Sequence, residues 1–269
     1  MDYTNAYVAS NEAAWDRAAQ TYADDIASDV AALQSGQTSL LPDELRLLGD
    51  LSDVERAIHL QCSHGLDALS LLQLGAKEVV GVDISQEMLA QASKKTDALG
   101  ANARWLHSDI LTMPDTLDGT ADLVYTGKGA LPWMNDIRAW AQVVARLLKP
   151  GGRLFVFEGH PLTWIWDPEK PEHRLRHGRG YFDAHPKANM DFPAAAVERY
   201  TPEGETAPEA WEWPWTLGQV VTAVAQAGLR IEHLEEHPNH FWDHFPEIPA
   251  DEMQRLPHTY TLIARRPAE

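Results

Sequence analysis

A chain of 269 residues, 44% hydrophobic and with one cysteine, suits one elaborated α/β domain, is not composed like a disordered protein, and excludes an intramolecular disulfide. Its formal net charge of −18, with no long basic stripe, argues against nucleic acid and anionic membranes as partners, because the whole-protein field repels both. No apolar run is long enough to span a bilayer, and Met1-Asp2-Tyr3-Thr4-Asn5 has no signal-peptide character, so the expectation is a cytoplasmic protein, monomeric or homodimeric.

In chain order, residues 11–28 read as a helix with Trp15, Ala18, Ala19, Tyr22 and Ile26 on one side. A second short helix covers 42–51, and 1–52 together form an N-terminal helical cap. A strand near 56–62 is followed by a helix at 66–74, closed by Gly75, and a strand at 78–83. Ser85 N-caps a helix at 86–99, which Gly100 terminates. Short strands follow at 104–107 and 121–126. A helix at 135–148 stops at Pro150-Gly151-Gly152, and a fifth strand runs over 153–158. The period is then lost. Residues 159–214 are rich in Pro, Trp, His and charge, and are too long for a plain loop, so they read as an inserted lid. A helix at 216–226 and strands at 229–235 and 258–264 close the chain. The last strand is reached without a helix and is expected to run antiparallel beside its predecessor. The fold expected is a single Rossmann-like, doubly wound domain over 1–269, with a mostly parallel seven-stranded sheet, its last strand antiparallel, and the inserted lid.

Residues 57–83 organise the rest. Strand, tight turn, helix and strand end on a carboxylate, Asp83, which is the layout of a nucleotide-binding βαβ unit. The turn Gln61-Cys62-Ser63-His64-Gly65 has one glycine where a full fingerprint has three. The Gly-x-Gly-x-x-Gly of a nicotinamide-dependent oxidoreductase is absent, which leaves that function as a weaker alternative. Backbone N–H groups from Ser63 to Gly65 lie at a helix N-terminus and suit an anion. Cys62, at the end of a buried strand with no activating base, reads as structural.

Three further motifs carry a resemblance: Val80-Gly81-Val82-Asp83-Ile84-Ser85 with Met88, Ser108-Asp109-Ile110, and Leu147-Leu148-Lys149-Pro150-Gly151-Gly152 before a strand. In this order the chain resembles the class I S-adenosylmethionine-dependent methyltransferases over roughly 15–265. It looks like a subgroup whose first motif is poor in glycine, with His59 at the usual acidic position and Gln61 and Ser63 at two glycine positions. The resemblance implies S-adenosylmethionine as cofactor, held by Asp83 at the ribose, by Asp109 and Ile110 with Ser108 at the adenine, and by Ile84 and Met88 packing on it. It implies the remaining cofactor contacts at His59, Gln61, Cys62, Ser63, Gly65, Thr126 and Gly127, with Trp15 and Tyr22 on a helix that closes over the site. The reaction implied is O- or N-methylation of a small organic molecule. A non-catalytic protein that binds the cofactor is the other reading.

On the acceptor side, Glu158-Gly159-His160 follows the fifth strand, and His237 follows the strand ending near Glu236. His160, then His237, are the expected general bases. Trp133, Trp164, Trp166 and Trp213 are expected to wall an apolar acceptor pocket. No Asn/Asp-Pro-Pro-aromatic sequence follows the fourth strand, which disfavours nucleic-acid and glutamine substrates. His237, His240, Asp243 and His244, whose spacing is irregular and interrupted by Pro238, and the pair His173 and His177 are the groups that could be read as metal ligands, and no metal is expected.

Overall fold

The computed structural model describes residues 3–268. It contains nine strands: β1 Arg56–Leu60, β2 Glu78–Asp83, β3 Ala103–His107, β4 Ala121–Gly127, β5 Leu148–Gly159, β6 Lys187–Ala188, β7 Trp211–Glu212, β8 Arg230–His237 and β9 Thr259–Arg265. The helices are α1 Tyr3–Ala18, α2 Ile26–Gln34, α3 Pro42–Leu48, α4 Leu66–Gln73, α5 Gln86–Leu99, α6 Ile137–Leu147, α7 Ala194–Tyr200, α8 Leu217–Gln226 and the single turn α9 Ala250–Met253.

Seven strands form one sheet in the order β3-β2-β1-β4-β5-β9-β8, and β6 pairs with β7 apart from it. Strands β1 to β5 are parallel, while β9 runs antiparallel to both β5 and β8. The final strand therefore inserts between its two neighbours, and β8 takes the edge. Period-two alternation divides the central strands between two cores. Ile58, Leu60, Val80, Val82, Val124, Leu154 and Val156 face Trp140 and Val144 of α6 and Val220 and Val224 of α8. Ala57, Val79, Leu123, Tyr125, Phe155 and Phe157 face Leu48 of α3 and Ala68 and Leu71 of α4. Strands covered on both faces explain why β1, β2 and β4 read as near-continuous apolar runs.

The N-terminal region differs from the single helix expected at 11–28. The chain is helical from Tyr3, tightens into a 3-10 turn at Ala19–Tyr22, and restarts at Ile26. Tyr22 stacks on His64 at 4.0 Å between ring centroids, a tertiary contact that anchors the chain where the helix breaks. Strand β5 also begins earlier than expected, at Leu148. Gly151 has a φ of +81°, and a Cβ on Gly152 would meet the Ala121 carbonyl at 2.8 Å, so the glycine pair keeps close to the sheet a segment that reads as a turn. The 159–214 segment packs against α1: Ala196, Val197 and Ala210 share a cluster with Ala14, Ala18 and Met88. None of the described helices is long and apolar enough to cross a membrane.

Candidate functional site

Parallel strands β1 and β4 send their following segments to opposite sides, so a crevice opens at their carboxyl ends. A cleft of about 470 Å³ lies there. Its floor is the β1–α4 turn. Gln61 has a φ of +55°, Ser63 of +50° and Gly65 of +79°. The backbone therefore adopts at alternate positions the left-handed form that glycine prefers, although two of the three residues have side chains. The conformation is braced. Gln61 Nε2 donates to the Ala130 carbonyl, and the Ser63 N–H donates to Asp83 Oδ2 at 2.7 Å. Gly65 has no alternative, because a Cβ there would lie 2.6 Å from Ala92 Cβ and 2.6 Å from the Trp105 ring.

Asp83, at the end of β2, lines the cleft and is only 8% exposed. Burial pushes its carboxyl up to about 6, although N–H donors from Ser85, Ser63 and Ile84 pull it back. Asp109 stands across the end of β3, where its Oδ1 accepts from the Leu111 N–H at 2.9 Å, and Ile110 and Leu111 line the cleft beside it. Below the turn, His59 is 2% exposed and burial lowers its pKa to about 4, so the residue at the usual acidic position is a neutral imidazole. Cys62 lines the cleft too, and burial together with the Asp83 charge pushes its thiol well above the ordinary range, which removes the thiolate a nucleophile needs.

The structure brings Trp15, Tyr22, His59, Gln61, Cys62, Ser63, Asp83, Ile84, Asp109, Ile110 and Gly127 to the cleft, together with Trp133, Trp164 and Trp166. Other expected residues stand behind it. Met88 is fully buried in the α1 cluster, its sulfur 3.6 Å from Ser63 Oγ. Gly65 and Ser108 support the backbone, the latter through its N–H to the Asp83 carbonyl at 2.9 Å. Thr126 is buried with its hydroxyl on the Leu60 carbonyl at 3.3 Å, and Trp213 packs edge-on to Tyr7.

The two expected bases, His160 and His237, are not among the residues that line the cleft. His160 accepts from the Leu162 N–H on Nδ1 at 3.2 Å and meets Glu236 through Nε2 at 2.9 Å, so neither nitrogen is left for a substrate. His237 bonds Thr261 Oγ1 at 2.9 Å and contacts Asp43 and Glu235, outside the cleft. Those three residues are the one group with metal-ligand spacing among the described residues, but Glu235 is already paired with Arg46 at 2.6 Å. The set His237, His240, Asp243 and His244 is not such a group.

Sequence reasoning missed a charged layer beside the turn. Lys128 Nζ bonds Asp67 Oδ1 at 2.9 Å and the Ser39 carbonyl at 2.8 Å, and lies 3.5 Å from Glu44. Burial pushes Glu44 up to about 7 against the pull of Lys128, and its carboxyl also accepts the Tyr125 hydroxyl. The available signal is a lysine between two glycines, Gly127-Lys128-Gly129, and in the structure Lys128 has a φ of +58°, uncommon for a residue with a side chain. Also missed were Phe241, Trp242, Phe245 and His258 from the stretch before β9.

Residues 57–152 match the family model described as a methyltransferase domain. A demethylmenaquinone methyltransferase from Thermus thermophilus is 39% identical over 84 residues, 31% of this chain and 37% of that protein. This chain spans less than half the length of each curated relative it matches. A solved S-adenosylmethionine-dependent methyltransferase from Mesorhizobium loti superposes with a TM-score of 0.62 at 22% identity, covering 85% of this chain and 98% of that one. A geranyl diphosphate C-methyltransferase from Streptomyces coelicolor, solved with Mg2+, geranyl-S-thiolodiphosphate and S-adenosyl-L-homocysteine, gives a TM-score of 0.56 at 13% identity, covering 82% of this chain and 73% of that one. Residues 57–152 are thus similar to a methyltransferase domain, and the fold is one shared with solved S-adenosylmethionine-dependent methyltransferases.

The residues present fit that cofactor. An S-adenosylmethionine offers hydrogen-bond donors at its ribose hydroxyls, adenine amine and ammonium group. The cleft offers acceptors: the carboxylates of Asp83 and Asp109, and Gln61 Oε1, which is buried without a partner.

Proposed function

We propose that the chain transfers a methyl group from S-adenosylmethionine to a small organic acceptor held under the 159–214 lid. The observation that carries this reading is the continuity of the cleft: one cavity runs from Asp83 and Asp109 to Trp133, Trp164 and Trp166. The bound cofactor supplies an electrophilic methyl group. The protein's part is to hold the adenosine end with Asp83 and Asp109, to orient the acceptor among the indoles, and to exclude water, since positioning supplies most of the rate in such a transfer. The net charge of −18 supports a neutral or cationic small molecule over a polyanion.

Calorimetry tests the reading. S-adenosylhomocysteine should bind and NAD should not, with Asp83→Ala weakening binding by about 1.5–3 kcal/mol, the range for a hydrogen bond to a charged group. Absence of heat with the wild-type protein rejects the proposal. Binding without turnover across a broad set of alcohols, phenols and amines favours the non-catalytic reading.

A further inference from the structure

His258 stands at the entry to β9, next to Thr259, which pairs with Gly159 at the end of β5. Its carbonyl accepts the His160 N–H at 2.9 Å, so it shares the carboxyl edge of the sheet with the residue expected to be the base. Its side chain lines the cleft and the residue is 1% exposed. Nε2 lies 2.8 Å from the Met253 carbonyl, which only accepts. Nε2 therefore carries the proton, and Nδ1 presents a lone pair. That Nδ1 is buried and has no partner in the protein.

A complementary group lies nearby. Trp166 also lines the cleft, and its Nε1–H, which only donates, is buried without a partner. The His173 ring is 5.4 Å from the Trp166 ring and 6.1 Å from that of His258, so it joins the two. Trp166 packs against the cluster of Phe245, Ile248 and Met253. One buried donor and one buried acceptor without protein partners thus line the same cleft, and His173 Nε2, on the ring between them, is likewise buried without a partner. Leaving both unmade is costly, so the pair calls for a polar occupant.

We propose that His258 Nδ1 and Trp166 Nε1–H form the acceptor subsite for a hydroxyl group, alcoholic or phenolic, of the small organic substrate; this rests on the methyltransferase reading above. A hydroxyl satisfies both atoms, because it donates to Nδ1 and accepts from Nε1–H. An ammonium cannot accept from the indole, and an ether or carboxylate cannot donate to the imidazole. When the hydroxyl is deprotonated, its O–H bond breaks, the proton joins Nδ1, and the imidazolium is steadied by its Nε2–H bond to the Met253 carbonyl. Burial lowers the His258 pKa and keeps the lone pair available near neutrality, and the titratable groups facing it are His160, His173 and His240.

The test uses two probes that differ in one proton donor, p-cresol and its methyl ether, titrated by calorimetry into the full chain saturated with S-adenosylhomocysteine. Wild type should prefer p-cresol about tenfold, the factor of one net hydrogen bond. His258→Asn places its amide oxygen near the Nδ1 position and should keep most of the preference. His258→Gln reaches only towards the Nε2 position and should lose it, and Trp166→Phe should lose part. Equal binding of the probes to wild type, or a preference that survives His258→Gln, overturns the assignment. Long-range proton–nitrogen NMR of the wild-type rings needs no variant: His258 should be the neutral Nε2–H tautomer, with Nδ1 moved by p-cresol and not by the ether. An unmoved Nδ1 also overturns it. If S-adenosylhomocysteine does not bind, the methyltransferase reading fails, while the probe preference measured without it still decides the subsite.

Discussion

At the scale of single residues, the ribose contact proposed for Asp83 should couple binding to pH. Its carboxyl is pushed up to about 6 chiefly by burial. Ribose hydroxyls donate, so the ionised form is the one that holds a nucleoside. Affinity for S-adenosylhomocysteine should therefore rise with pH through about 6 and then level off, falling towards tenfold per unit below it as one proton is taken up for each ligand lost. Folding responds with the opposite sign. A carboxyl raised above its unfolded value of about 4 contributes fully below that pH, and its contribution is lost as pH rises through about 6. Asp83→Asn removes both dependences. Calorimetric affinities that stay flat from about pH 5 to about pH 8 in the wild type contradict the assignment.

At the scale of elements, the β1–α4 turn separates backbone geometry from the residue type that usually supplies it. Ser63 at φ +50° has one weak side-chain contact, to the Met88 sulfur. Ser63→Gly relieves left-handed strain of about 1–2 kcal/mol and adds unfolded-state freedom of about 0.5–1 kcal/mol, so stability should rise by up to about 1.5 kcal/mol. Gly65→Ala combines the same strain with a Cβ driven into Ala92 and Trp105, and should cost about 2–5 kcal/mol, the strain plus about 1–3 kcal/mol of overpacking. Urea unfolding of both variants checks the pair. Equal effects of the two substitutions would mean that the turn has relaxed away from the described geometry.

At the scale of the molecule, α1 is tied to the far end of the 159–214 segment. Asn11 is buried, donates from Nδ2 to the Trp211 carbonyl at 2.9 Å, and accepts the Trp211 N–H at 2.7 Å. Asn11 also lines the cleft, so one side chain links the cap, the 159–214 segment and the site. Asn11→Ala leaves a backbone donor and acceptor in a part-buried place without partners, at about 1–3 kcal/mol each at most. Proteolysis within 159–214 should quicken several-fold, and S-adenosylhomocysteine should slow it again in the wild type more than in the variant. Unchanged cleavage would show that the lid is held by its apolar contacts alone.

Much of the architecture was legible locally. Period-two runs, the caps at Ser85 and Gly100, and the carboxylates at the ends of β2 and β3 are short-range features, so β1 to β5 and the placement of Asp83 and Asp109 could be read in order along the chain. The insertion of β9 between β5 and β8 could not, because strand order is decided by which apolar faces close together. Nor could the state of any histidine. His160, His237 and His258 are alike in sequence, each at or beside a strand terminus. Only packing shows that the nitrogens of His160 and His237 are engaged within the protein, whereas His258 keeps a buried lone pair without a protein partner, on the cleft. The residue type determined what chemistry was available at each position; the long-range contacts decided which hydrogen-bonding positions the protein itself had already taken.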